Sequence, residues 1–169
     1  MPNPYGVNEL FMHSQRDPNC RDIRLGASHA TMGGFGCYVT ACAYLCSRVL
    51  GRDVQPLEMV TWLNAHGGFK ADGSLIWKKI AEFTGGRLRM FTTYPLLSFG
   101  KASTARLVSY AGTSHMVVEM TNKVSAVPVC YDTYAWPVGH PEDPFVKPLS
   151  YFDRKGWGSL LGRFYFKTT

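Results

Sequence analysis

The chain of 169 residues has no apolar run long enough to cross a bilayer. Its first ten residues, MPNPYGVNEL, lack the basic start and apolar stretch of a secretory signal. The expectation is synthesis and folding in the cytoplasm, without membrane insertion. Low-complexity tracts and internal repeats are also missing, which excludes solenoids and disordered linkers as the main architecture. No dense basic run occurs either. The net charge is +6, from 18 Lys+Arg against 12 Asp+Glu. Its positive residues are scattered: Lys78, Lys79, Arg87, Arg89, Lys147, Arg154, Lys155, Arg163 and Lys167. Such a surface attracts anions mildly, cell-wall polymers included, but it is no nucleic-acid stripe, and a nucleic-acid partner is not expected. Cysteines are few and odd in number, at 5, so no disulfide framework is implied. Cys37, Cys42 and Cys46 stand five and four residues apart, which matches no common zinc-ligand pair. Neither a metal nor an organic cofactor is implied.

What is present suits a single domain over residues 1–169. Hydrophobic residues make up 46% and aromatic residues 14%, enough for a core packed with large rings. Residues 1–36 are rich in Gly, Pro, Asn and Asp and read as an extended leader with short turns, loosest over 1–10. A helix is expected from Cys37 to Leu50, because Ala41, Cys42, Leu45, Val49 and Leu50 recur at three- and four-residue steps and Gly51 follows. Cys42 and Cys46 fall on its apolar face and read as core thiols. A second helix should begin at Pro56, with Leu57, Val60, Trp62 and Leu63 as its apolar face, and end at Gly67-Gly68. A third is expected after Asp72-Gly73, with Ser74 as N-cap and Leu75, Ile76, Ile80 and Phe83 as its stripe. Strands follow at Leu88–Thr92, Arg106–Tyr110, His115–Met120, Val127–Tyr131 and Arg163–Phe166, with residues 133–150 as loop. Helices first and an antiparallel sheet second is an α+β pattern.

The chemistry concentrates at Cys37. It follows Gly33-Gly34-Phe35-Gly36 and opens a helix, where backbone N–H groups and the positive end of the helix dipole favour a thiolate. A thiol nucleophile needs a base that is remote in sequence but near in space. Ser114-His115-Met116-Val117-Val118 supplies one, a histidine at the start of an apolar strand. Val129-Cys130-Tyr131-Asp132 ends the next strand on an acid. If the two strands pair, Asp132 accepts a hydrogen bond from the imidazole and fixes its tautomer. Gln15, upstream of the nucleophile, has an amide able to donate to a developing oxyanion. His13 is close to Gln15 in sequence. His140 is a weaker alternative to His115 for this role, since it stands in a proline-rich loop rather than on a supported strand. Trp136, Trp157 and Phe164-Tyr165-Phe166 read as packing.

The order Gln, Gly-Cys on a helix, His on a strand, Asp on the next strand is that of papain-like enzymes. The chain resembles the bacteriocin-processing, double-glycine type of cysteine peptidase, and especially its broader peptidase-like relatives. The matching segments are Ser14-Gln15-Arg16-Asp17, Gly36-Cys37-Tyr38-Val39-Thr40, Ser114-His115-Met116-Val117-Val118 and Tyr131-Asp132, with Gln55–Leu63 and Trp77 resembling the middle region. The likeness spans about residues 11 to 135. It implies a papain-like fold with Cys37 as nucleophile, His115 as general base, Asp132 as orienting acid and Gln15 as oxyanion donor. Two departures stand out. Asp132 is followed by Thr133 where many relatives have proline, and Tyr38 occupies the place of a usual small residue. No transporter segment is visible in these residues, so leader processing coupled to export is not expected. Free-standing relatives of this size are often encoded by bacteriophages or sit in cell-wall-active proteins, which would place the chain in a host cytoplasm or a virion. The expected activity is hydrolysis of a peptide or isopeptide bond, in a peptidoglycan stem or in a polypeptide. A papain-like binding module without turnover and an acyl transferase with the same triad are the alternatives.

Overall fold

The computed structural model describes residues 8–94, 105–110, 115–120, 129–135, 143–148, 150–154 and 160–168. The expected positions Ser114, Trp136, His140 and Trp157 lie outside them. Side chains of the strands at 91–94, 105–110 and 160–168 lie outside the description as well, and with them Phe164, Tyr165 and Phe166 as packing groups.

Helices come first. α1 spans Met32–Phe35, α2 Cys37–Leu50, α3 Pro56–Ala65 and α4 Lys78–Phe83. α2 has the expected bounds, and Gly51 closes it with a left-handed φ of 68°. Between Cys37 and Ser47 the helix carries no charged residue, and every residue but Tyr38 is buried. A helix without a polar face must be covered on all sides, so α2 forms the centre of the core. It packs on α3 and on strand β3 (Met116–Met120). Cys42 and Cys46 are fully buried in it. α3 starts at Pro56 as expected, but its buried face is Pro56, Met59, Val60 and Leu63, while Leu57 is exposed.

Two expectations in this half are corrected. Residues 8–31 are not an extended leader, since Met12, Ser14, Gln15, Cys20 and Leu25 are buried and the segment is held by turns and a bridge between Arg24 and Thr31. The third helix begins at Lys78 rather than at Ser74. Ser74 caps nothing: its own N–H donates to Asp72 Oδ1 in a tight turn, and Leu75 bridges to Phe69. The stretch before α4 is thus a small hairpin, with the Ile76 N–H bonded to the Gly68 carbonyl at 2.8 Å.

The second half is a fully antiparallel sheet of six strands in the order β1-β6-β2-β3-β4-β5. Its other strands are β1 (Leu88–Tyr94), β2 (Ala105–Tyr110), β4 (Val129–Tyr131), β5 (Val146–Pro148) and β6 (Leu160–Thr168). The helices-then-sheet order makes the architecture α+β. β5 and the short helix α5 (Ser150–Arg154) fall in or overlap the stretch read as loop. A three-residue strand between prolines has too few residues to show alternation.

Residues 13–15 join the two halves. The Gln15 N–H donates to the Thr133 carbonyl at 2.9 Å, and the Ser14 hydroxyl donates to the Ala135 carbonyl. The Tyr131 hydroxyl donates to the His13 carbonyl and accepts from the His13 N–H. Tyr131 also packs against Tyr44 of α2, ring centres 5.1 Å apart.

Candidate active site

Cys37 is the first residue of α2, directly after the one-turn helix α1 and the junction residue Gly36. Thr31 caps α1, its hydroxyl accepting from the Gly34 N–H. The junction is too tight for any other residue: a Cβ on Gly36 would lie 2.5 Å from the Met32 carbonyl oxygen and 2.8 Å from Met32 Cα. The glycines before Cys37 therefore form a helical turn rather than a flexible loop. The Cys37 thiol is 2% exposed, and its Sγ lies 4.0 Å from the Phe35 carbonyl oxygen.

His115 precedes β3, and Asp132 follows β4. Pairing of Val118 with Tyr131 brings the start of one strand beside the residues after the other. The two side chains meet there, with His115 Nε2 2.8 Å from Asp132 Oδ1, both buried. The Cys37 side chain is close enough to act on the same imidazole and helps to raise its pKa. Because Nε2 is taken by Asp132, Nδ1 is the nitrogen left for the thiol. The structure thus brings Cys37, His115 and Asp132 together, with His115 bonded to Asp132 and acted on by Cys37.

The electrostatics follow from that chain. Burial alone would lower the His115 pKa, and it is the largest single effect. The hydrogen bonds and charges of Asp132 and Cys37 outweigh it and raise the imidazole to about 9. Burial likewise works to raise Asp132, but His115 and Lys147 hold its carboxyl below the usual value. At the other four thiols burial is the largest effect. Burial pushes Cys20 up to about 11 and Cys46 to about 12, and it drives Cys42 and Cys130 well above the ordinary thiol range.

Gln15 reaches the same end of α2 but is engaged with the fold. Its Nε2 donates to the Gly33 carbonyl at 3.1 Å and, more weakly, to that of Met32 at 3.5 Å. The Thr133 hydroxyl donates to its Oε1 at 3.2 Å. Gln15 therefore ties α1 to the turn after β4. Thr133, the residue after Asp132, supplies the hydroxyl that orients it, which a proline side chain would not. His13 turns away to Asp53, with Nε2 to Oδ1 at 2.7 Å. Tyr38 points its hydroxyl at the Gly73 carbonyl. With Phe35 it lines a groove of about 750 Å³ whose other walls include His29, Ser28, Asp72 and Gly73. The residues flanking Gly36-Cys37 in the chain thus form one wall of this groove.

One member of the network had no sequence signal. Lys147, in β5, is buried, and its Nζ donates to Asp132 Oδ2 at 2.7 Å and to Asp143 Oδ1 at 2.6 Å. A lone lysine between prolines reads as a solvated surface group. Only the pairing of Cys130 with Lys147 across β4 and β5 brings it beside Asp132. Among the described residues no cluster of His, Cys, Asp and Glu could hold a metal ion, and no helix is long and apolar enough to cross a membrane.

Comparison of the chain with family models, with curated proteins and with solved structures finds no match. A functional reading therefore stands on the motifs and on the geometry above.

Proposed function

We propose that the protein is a cysteine-dependent hydrolase of peptide or isopeptide bonds with a papain-like arrangement of nucleophile, base and acid. The observation that carries this reading is the imidazole of His115, bonded to a buried carboxylate and near enough to a thiol at a helix start for that thiol to raise its pKa. In the proposed cycle the Cys37 thiolate attacks the carbonyl carbon. The C–N bond breaks, and the His115 imidazolium gives its proton to the leaving amine. His115 then takes a proton from water, the hydroxide attacks the thioester, and the thiolate departs. The Cys37 backbone N–H and one Gln15 amide proton, exchanged from the Gly33 carbonyl, would bind the oxyanion. The groove beside Phe35 and Tyr38 is where a peptide would lie. A peptidoglycan stem suits the net charge of +6 slightly better than a polypeptide does.

A binding module without turnover is the second reading, favoured by the 2% exposure of Cys37. Labelling with limiting iodoacetamide near neutral pH, read by peptide mapping, separates the two. Cys37 should be alkylated well before Cys20, Cys42, Cys46 and Cys130, and His115→Ala should abolish the lead. Equal or slower labelling of Cys37 removes the nucleophile. The substrate is then sought by comparing the wild type with Cys37→Ala on purified peptidoglycan and on a peptide library. No cleavage of either by the wild type would favour the module.

A further inference from the structure

Asp132 has two carboxylate oxygens, and the fold uses them differently. Oδ1 accepts from His115 Nε2 at 2.8 Å and from the Tyr134 N–H at 3.0 Å. Oδ2 faces Lys147 Nζ at 2.7 Å. The lysine side chain is only 6% exposed and lies over the Tyr151 ring, 4.9 Å from its centre. Burying an ammonium is costly, and a sheet position with no need for charge would be filled more stably by an apolar residue. Here the ammonium sits between one buried carboxylate and one outer carboxylate, Asp143, whose side chain is 24% exposed.

We infer that Lys147 is a positioning residue for the proposed triad: its ammonium clamps Asp132 Oδ2, so that Oδ1 stays aimed at His115 and the carboxylate stays ionised into acid conditions. A rotated or protonated Asp132 would neither fix the imidazole tautomer nor stabilise the imidazolium. The clamp needs no contact with substrate. Its link to catalysis rests on the Cys-His-Asp reading; its effect on the ionisation of Asp132 does not.

The titratable groups facing Asp132 come from several elements. His115 stands before β3, and Cys37, which opens α2, acts on that imidazole. Lys147 lies on β5 and Asp143 just before it. Cys130 and Tyr131 belong to β4, directly before it, and Glu119 of β3 acts on Cys130. Of these, Lys147 is the sole permanent cation among the named groups, and removing it acts on Asp132 in one direction. The His115→Asp132 contact and the ionisation of Asp132 are both readable by imidazole NMR, and the reactivity of Cys37 by alkylation.

The experiment titrates His115 by NMR and the iodoacetamide rate of Cys37 from pH 3 upward in wild type, Lys147→Met, Lys147→Arg and Asp143→Asn. In Lys147→Met the acid edge that marks Asp132 protonation should move up by about one pH unit or more. Lys147→Arg keeps the charge and should hold most of the shift back. Asp143→Asn removes the outer negative charge and should move the edge the other way, down by a few tenths of a unit (~0.3). An unmoved edge in folded Lys147→Met overturns the inference. If that variant does not fold, the sign of the Asp143→Asn shift decides, and an upward or absent shift overturns it. A purely structural lysine would change stability in these variants without opposite movements of the edge. If wild-type Cys37 shows no preferential alkylation, the catalytic reading fails while the His115 titration still tests the clamp.

Discussion

The proposed nucleophile and the proposed base are held in place by different physics. Cys37 is placed by backbone sterics: a one-turn helix, a glycine junction with no room for a Cβ, and Gln15 bonded to carbonyls of that turn. His115 and Asp132 are placed by a buried ionic network that extends through Lys147 to Asp143. The first kind of support does not depend on pH, whereas the second does. A thiol that must meet an imidazole in one geometry is thus anchored by a stiff partner on one side and a titratable partner on the other. The contrast predicts which perturbations each half will feel.

The largest expected effect is on the ionic side. His115 has its pKa raised from 6.5 to about 9 in the folded chain. A group with a raised folded-state pKa stabilises the fold fully below its unfolded value. That contribution is lost as pH climbs through the folded value. Stability should therefore fall between pH 6.5 and about 9, by an amount on the order of 3 kcal/mol at most. Asp132 adds the opposite limb: with its pKa lowered, its contribution is present above the ordinary carboxylate range and lost on acidification. Urea unfolding at successive pH values measures both limbs. His115→Gln should remove most of the alkaline loss, and an equal loss in that variant would remove the imidazole as its cause.

This ionic side is also where the sequence was least informative. His115 and Asp132 could be picked out because each sits at the end of an apolar strand, and strand pairing was enough to bring them together. Gly51 and Pro56 marked the bounds of α2 and α3 because each supplies a backbone conformation that the helix end requires. Lys147 could not be found in this way, since its partner is set by the register of a strand only three residues long. Gly33-Gly34 carries no helix signal because glycine is a poor helix former, yet Thr31 caps a helical turn there and Gly33 packs against Arg21. Ser74 read as an N-cap because local signals omit the long-range pairing of Leu75 with Phe69. Gln15 reaches the same end of α2 as Cys37, but its bonds to Gly33 and Thr133 depend on the folding of the segment read as a leader.

The steric side can be broken independently of pH. Gly36→Ala should destabilise the fold by about 1–3 kcal/mol, because the added Cβ would press on Met32 backbone atoms that have no rotamer to escape into. The comparison variant is Gly34→Ala. A Cβ there would be 3.6 Å from the Thr31 hydroxyl, an ordinary contact, so that change should be neutral or slightly stabilising. Thermal melts of the two variants, with Cys37 alkylation as the second readout, test the distinction. Gly36→Ala should slow alkylation at every pH, since it displaces the thiol without altering the charges around Asp132. A change confined to one pH range would mean that the two supports are not separable.

The smallest effect lies one helical turn beyond Cys37. Thr40 is 1% exposed, and its Oγ1 is a buried side-chain oxygen with no hydrogen-bond partner among the described residues. A hydroxyl left unpaired in the core keeps its desolvation cost and gains nothing in return. Valine has nearly the same shape and removes that cost, so Thr40→Val should stabilise the fold by roughly 1 kcal/mol or less. Denaturant midpoints at constant slope measure the change. The pH dependence of stability should be unaltered, because Thr40 belongs to the steric side and carries no proton that titrates in this range. A loss of stability instead would mean that the hydroxyl is paired in solution, and α2 would then contribute a second polar group at the same end of the site.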